Sequence, residues 1–182
     1  MSLAPVPVPV PVPVLATPRF VLRGVDHADA EGLFPAFSDP QVMRYWSSGP
    51  FTDLEVFRAW LLGTSWGGRT WIAVPMEGGA PVARLVASEH GPGVAEIGYM
   101  VTPDHVRQGI ARECVAALVT HLFRSEGYRR IFADTDPRNV ASNRLLVSLG
   151  FTREAHLRRA METHIGWCDT LLWGLLDDEW PH

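Results

Sequence analysis

The sequence predicts a mixed α/β fold, one sheet covered by helices in a single domain. Three observations predict it. Short runs that alternate apolar and polar residues, the period of a half-buried strand, recur along the chain. Between them lie segments whose apolar residues fall three and four apart, the stripe of an amphipathic helix. Glycines and prolines punctuate the joins. At 182 residues, 47% hydrophobic and 20% charged, the chain has ordinary globular composition and enough length for one sizeable core.

The elements follow in order. Pro5-Val6 to Pro13-Val14 is a strict Pro-Val alternation. Proline has no N–H for a sheet ladder, so an extended, polyproline-like arm is expected over residues 1–16, ahead of a domain over 17–182. The arm lacks the basic start and cleavage site of a secretory signal. A neighbouring subunit, in a homodimer, is one thing that would hold it. Arg19-Phe20-Val21-Leu22-Arg23 alternates as a strand and ends at Gly24. Asp26 is placed to cap a helix over 28–37, and Asp39-Pro40 opens a turn. After a loop at 46–50, Thr52 or Asp53 caps a helix over Leu54–Leu62, with Leu54, Phe57 (or the Arg58 stem), Leu61 and Leu62 on one face. Strands over 70–74 and 82–88 flank the turn Glu77-Gly78-Gly79, and another over 95–101 follows Gly91-Pro92-Gly93. A long helix over 107–125 carries the stripe Ala111, Val115, Leu118, Val119 and Leu122 and stops at Gly127. A strand over 130–133, a short helix from its cap Asn139 to Gly150, and strands over 151–157 and 170–176 complete a sheet of about seven strands.

Composition excludes several function classes. A formal charge of −4 gives no basic face for nucleic acid, and the cluster Arg153, Arg158, Arg159 reads as a solvated strand edge. No apolar run approaches the length of a membrane span. The two cysteines, Cys114 and Cys168, have no metal-type spacing, and the scattered histidines form no ligand motif, so no metal is expected. A reduced thiol pair in the cytoplasm is the default.

The most informative stretch is Val106-Arg107-Gln108-Gly109-Ile110-Ala111, where a strand gives way to a helix. Small residues at a helix opening let N–H groups approach a bulky anion, and the positive end of the helix dipole favours phosphate. Its second half is Asn139-Val140-Ala141-Ser142-Asn143, closed by Gly150-Phe151. With Pro18-Arg19-Phe20-Val21-Leu22-Arg23, Asp39-Pro40-Gln41-Val42-Met43-Arg44-Tyr45, Glu96-Ile97-Gly98-Tyr99, and the closing Asp169 and Asp178-Glu179-Trp180, these motifs resemble the GNAT superfamily of acetyl-CoA-dependent N-acetyltransferases. The likeness is nearest to its RimJ/RimL-type branch, the ribosomal-protein N-terminal acetyltransferases and relatives. It spans Thr17 to Trp180.

The resemblance implies a GNAT fold: a mostly antiparallel sheet flanked by helices and splayed between the fourth and fifth of the seven strands. It implies that backbone groups of Met100 and Val101 meet the pantetheine arm, and that the amides of Arg107, Gln108, Gly109, Ile110 and Ala111 hold the pyrophosphate. Asn139 would reach the pantetheine and Asn143 would stand near it. The chain departs from the superfamily twice: Val106 stands where Arg or Gln is usual, and Leu146 where a tyrosine often protonates the leaving thiolate.

An amine attacking the thioester directly needs no activated cysteine, and neither cysteine has a neighbouring histidine. The amine must be neutral; an α-amine near pKa ~8 is partly so, whereas lysine at ~10.4 needs more help. Glu96, on the strand entering the cleft with Gly98 and Met100 on its face, is the candidate base, against a plain exposed carboxylate. Ser142 is the candidate partner of the leaving sulfur, against a residue of the helix's first turn whose amide Asn139 caps. For Asn139 itself, cap and ligand roles compete for one side chain. Tyr45, Trp46 and Phe51 either wall the acceptor cleft or pack the core; His90 and His164 read as solvated loop residues. The acceptor expected is a primary amine, foremost a protein N-terminal α-amine. The rivals are a small-molecule amine or another acyl-CoA on the same fold, and a non-catalytic acyl-CoA-binding module. A polyamine acceptor would want an acidic cleft, and none is visible near residues 45–51.

Overall fold

The computed structural model describes residues 12–63 and 66–181. Its strands are β1 (Leu15–Ala16), β2 (Phe20–Gly24), β3 (Arg69–Pro75), β4 (Ala83–Glu89), β5 (Val94–Val101), β6 (Arg130–Thr135), β7 (Thr152–Thr163) and β8 (Gly166–Leu176). The helices are α1 (Asp29–Phe37), α2 (Leu54–Leu62), α3 (Ile110–Arg124) and α4 (Val140–Ser148). The strands form one sheet in the order β1-β2-β3-β4-β5-β6-β8-β7. Every neighbouring pair is antiparallel except β5 and β6, which run parallel. The expected mixed sheet is therefore present, with one strand more than counted from sequence. No helix among the described residues is long and apolar enough to cross a membrane.

The additional strand comes from the end of the Pro-Val arm. Leu15 and Ala16 pair with Leu22 and Val21, and the Trp71 indole N–H donates to Pro13 O at 2.9 Å. Past Pro13 the arm regains the N–H groups that proline lacks, so a ladder becomes available there. The arm's residues before 12 lie outside the described residues.

Strand periodicity sorts the core into two layers. Leu22, Trp71, Leu85, Ile97, Ile131 and Trp173 face α3 and α4, against Ile110, Cys114, Leu118, Leu122 and Leu146. Ile72 and Met100 face α1 and α2, against Leu33, Phe37, Phe57 and Leu61. Of the two caps offered for α2, Asp53 serves, accepting the Val56 N–H at 2.9 Å. Asp26 acts one step earlier than expected: it accepts the Ala28 N–H at 2.9 Å, while the N-cap of α1 is Ala28.

Two boundaries differ from expectation. α3 begins at Ile110 and not at 107, because Arg107 (φ 61°) and Gly109 (φ 76°) adopt the left-handed conformation, which no helix interior accepts. The β7–β8 hairpin is longer than read: β7 runs on to Thr163 and β8 starts at Gly166. β7 is an edge strand, exposed along nearly its whole length and bulged between Leu157 and Met161. It carries Arg153, Arg158 and Arg159; charge and bulges are how an edge resists pairing with another chain. The arginine cluster is thus a solvated strand edge.

One polar knot fastens the start of α3 to the start of β2. Glu113, in the first turn, accepts the Thr17 hydroxyl at 2.7 Å, the Arg19 N–H at 3.0 Å and Arg19 Nε at 2.7 Å. Arg19 also donates to Gln108 O at 3.1 Å. Burial pushes the Glu113 carboxyl up, but the Thr17 and Arg19 hydrogen bonds outweigh it and hold it below the ordinary range. A carboxyl depressed on folding stabilises above its unfolded pKa, and that stability is lost as pH falls through the depressed value. Glu113→Gln is expected to destabilise by about 1–2 kcal/mol at neutral pH. Denaturant unfolding across pH should show the gap to wild type closing below about pH 4.3.

Candidate active site

β5 and β6 pair only at Val94↔Arg130, Ala95↔Ile131 and Glu96↔Phe132. Beyond Glu96 they part, which is the splay expected between the fourth and fifth strands of the seven-strand count. The β6-facing edge of residues 97–101 is left without a partner strand. β6 is instead tied to β8 and α4: the Trp173 indole donates to Thr135 Oγ1 at 2.8 Å, and that hydroxyl donates to Asn143 Oδ1 at 2.6 Å. The opening is a cavity of about 370 Å³ lined by Glu96, Gly98 and Tyr99, by Asp134 of β6, and by Asn139 and Ser142 at the start of α4. A Cβ on Gly98 would stand 3.0 Å from Val86 Cγ2, so glycine keeps that wall open.

The loop from β5 to α3 holds a 3-10 turn at Pro103–His105 and then the left-handed Arg107 and Gly109. Among the described residues, the N–H groups of residues 107–111 meet no backbone or side-chain acceptor. These are the orphan donors of a helix N-terminus, and the Arg19–Gln108 bond fixes the loop that presents them. Ile110 is buried at 3% exposure and Met100 at 6%, so each can offer a ligand only its backbone. Val101 lies on the open edge beside Met100, and Gln108 and Ala111 complete the loop. None of Met100, Val101 or residues 107–111 lines the cavity, which ends at Tyr99 on β5; the open edge beyond it and the free amides suit the amides and pyrophosphate of acetyl-CoA, and the cavity suits its thioester.

Glu96 is not a plain exposed carboxylate. Its Oε2 lies 2.6 Å from His90 Nε2, and Asp134 of β6 lines the same opening. Burial pushes the Glu96 carboxyl up, and the like charge of Asp134 adds to this against the opposing pull of His90. Burial also raises Asp134. His90 is an exposed loop residue as read, and it also packs edge-on to Phe132. Sequence reasoning missed Asp134 altogether. Its signal was available only as the second outward position after Phe132 on a strand adjoining that of Glu96.

At the start of α4, Asn139 Oδ1 accepts the Ser142 N–H at 3.2 Å. The cap uses Oδ1 and leaves Nδ2 outside it, and Asn139 lines the cavity. Asn143 is fully engaged, accepting from Thr135 and donating to Pro137 O at 3.1 Å. It braces the 135–137 turn, and it does not line the cavity. The Ser142 hydroxyl meets the Tyr99 phenol at 2.7 Å, a contact that sequence reasoning did not foresee.

The aromatic loop divides. Tyr45 and Trp46 line the cavity, whereas Phe51 packs with Phe57 and Trp60. His164, exposed at the β7–β8 turn as read, lies 3.1 Å from Trp46 O through Nδ1 and joins the hairpin tip to that loop. Cys114 is sealed in α3, its thiol pushed up to about 12 by burial, which removes it as a nucleophile. Cys168 is buried in β8, lines the cavity and touches Arg138 Nη2 at 3.2 Å.

The chain matches the acetyltransferase (GNAT) domain family over residues 19–152. It is 35% identical to the uncharacterized N-acetyltransferase YoaA of Bacillus subtilis, over 81% of this chain and 88% of that protein. To the uncharacterized N-acetyltransferase p20 of Bacillus licheniformis it is 30% identical, over 91% of this chain and 97% of that one. A solved structure of a probable GNAT-family acetyltransferase from Chromobacterium violaceum superposes with a TM-score of 0.84 at 26% identity, covering 99% of this chain and 98% of that one. The same fold, at a TM-score of 0.77 in each, is that of the ribosomal L7/L12 α-N-protein acetyltransferase RimL in complex with CoA (20% identity) and of a Vibrio cholerae spermidine N-acetyltransferase in complex with CoA and spermine (16% identity). The splayed mixed sheet is the fold of the family that the chain matches. The chain belongs to the GNAT family of acetyltransferases and is an acetyl-CoA-dependent N-acetyltransferase.

Gly109→Glu tests the phosphate seat. It forces a side chain into a left-handed position and brings a negative charge to the amides of residues 107–111. Calorimetric titration should show acetyl-CoA affinity reduced by at least about tenfold, the equivalent of about 1.4 kcal/mol. Gly109→Ala, which keeps the backbone strain and adds no charge, should lose clearly less.

Proposed function

We propose that this enzyme is of the RimJ/RimL type and acetylates the α-amine of a protein N-terminus. The observation that carries the reading is the Glu96–Asp134 pair on the lips of the splay, opposite Ser142 at the start of α4. Glu96 accepts a proton from the incoming amine, directly or through one water. Its raised carboxyl is a stronger base than an ordinary one, and an α-amine near pKa ~8 makes a smaller demand on it than a lysine at ~10.4. The backbone of Met100 and Val101 orients the pantetheine. The amides of Arg107, Gln108, Gly109, Ile110 and Ala111 hold the pyrophosphate, and Asn139 Nδ2 reaches toward the pantetheine. Acetyl-CoA supplies the activated acetyl group. Tyr45 and Trp46 exclude water on the acceptor side.

A second acceptor class has its own support. Glu96, Asp134, Asp136 and Asp169 all line the cavity, with no Lys, Arg or His beside them in the lining. The acidic cleft absent from residues 45–51 is thus assembled from β5, β6 and β8, as a polyamine would want. Three of the four are already partnered: Glu96 with His90 at 2.6 Å, Asp136 with Arg138 at 2.6 Å, and Asp169 with His156 at 2.8 Å. That leaves one unneutralised site, suited to a single ammonium, and favours the α-amine. The RimL and spermidine acetyltransferase structures show the fold serving both kinds of acceptor.

Release of free CoA over a panel of N-terminal peptides and polyamines decides the acceptor. Turnover of peptides above polyamines is expected; the reverse order would replace the first reading by the second, and turnover of neither with acetyl-CoA bound would make the chain a binding module. Glu96→Gln is expected to lower kcat about 10²–10⁴-fold while acetyl-CoA affinity is retained. After correction for the neutral fraction of the acceptor, kcat/KM should rise with pH through a group above the ordinary glutamate value of about 4.3. Asp134→Asn should move that limb to lower pH, because it removes the neighbouring negative charge.

A further inference from the structure

We propose that Tyr99 is a positioning residue for acetyl transfer, its phenol holding the Ser142 hydroxyl so that the serine O–H is directed at the departing sulfur of CoA. This rests on the donor-site reading above. The Tyr99 Oη lies 2.7 Å from Ser142 Oγ and 3.4 Å from the Ser142 carbonyl oxygen. Either hydroxyl can donate across the 2.7 Å contact; we place the phenol proton on Ser142 Oγ, the nearer of its two acceptors. With the phenol as donor, the serine proton is left free. The serine itself is fixed from the other side by the Asn139 cap on its N–H. Tyr99 and Ser142 both line the cavity, one on the open edge of β5 and the other in the first turn of α4. Leu146, the next turn of that helix, is fully buried and offers no donor.

Magnitudes decide what the pair does. Burial pushes the Tyr99 phenol up to about 12, whereas a thiol ionises near ~8.5. Passing a proton from Tyr99 through Ser142 to a thiolate is therefore uphill by about 3.5 pK units. The pair supplies a hydrogen bond, not a proton. As the amine nitrogen bonds to the acetyl carbon, the C–S bond breaks and its electron pair leaves on sulfur. The proton lost by nitrogen goes to Glu96, and solvent later protonates the sulfur. Ser142 stabilises the charge growing on sulfur, and the Tyr99 hydrogen bond polarises the serine and strengthens its donation.

The test needs no acceptor. The thiol of CoA bound at saturation is titrated by its ultraviolet thiolate absorbance, against the protein without CoA, in wild type, Tyr99→Phe, Ser142→Ala and the double variant. Each single variant is expected to raise the thiol pKa by about one unit, and the double variant by no more than Ser142→Ala alone. In turnover, Tyr99→Phe should lower kcat about tenfold with the KM for acetyl-CoA unchanged. An identical thiol pKa in wild type and Tyr99→Phe overturns the proposal. So does a Tyr99→Phe effect that persists in full without Ser142, which marks a structural role. Failure of wild type to bind CoA overturns the donor site itself, a result distinct from bound CoA whose thiol is indifferent to Tyr99.

Discussion

The fold turns on where the parallel pairing of β5 and β6 stops. Three residue pairs hold the strands together, and after Glu96↔Phe132 they part. Backbone N–H and C=O groups are costly to leave without partners, so an edge opened inside a sheet has a strong claim on a ligand that carries amides. The divergence is held from both sides. β5 stays paired to β4 through Val101, while β6 is drawn to β8 and α4 by the Trp173–Thr135–Asn143 chain. Asn143 thereby contributes to the site by keeping it open.

A second constraint sets the far end of the site. The phosphate-type loop is not simply the first turn of a helix, since two left-handed residues precede α3 and aim the amides outward. Left-handed backbone at a non-glycine such as Arg107 persists only where its surroundings hold it. Arg19 does so by bonding Gln108 O and Glu113 together, which ties the loop to the strand that begins the domain. The loop before α3 and the stability of the β2–α3 junction therefore share residues.

Much of this was legible in the sequence. Period-two runs marked β2 to β6 and β8, and the three-four stripe marked α3, because each buries one face only. The amides of residues 107–111 and the cap at Asn139 could be placed because both depend on local backbone geometry. The start of β7 is legible over 151–157, but beyond Leu157 the strand is bulged and mostly polar, so no period marks its extension to Thr163. The Glu96–His90–Asp134 group and the Tyr99–Ser142 contact join residues 6 to 43 positions apart, and only the sheet order brings them together. Sequence spacing also cannot say which atom of a side chain is used, which is why the two roles of Asn139 looked exclusive.

Residue-resolved amide hydrogen exchange, with and without CoA, tests the central claim most directly. If the open β5 edge and the loop before α3 are the donor's two anchor points, CoA should slow exchange at residues 97–101 and 107–111, leaving β2 and β7 unchanged. Protection confined to other segments, or none at 97–101 under saturating CoA, would contradict the view that the parting of β5 from β6 builds the site.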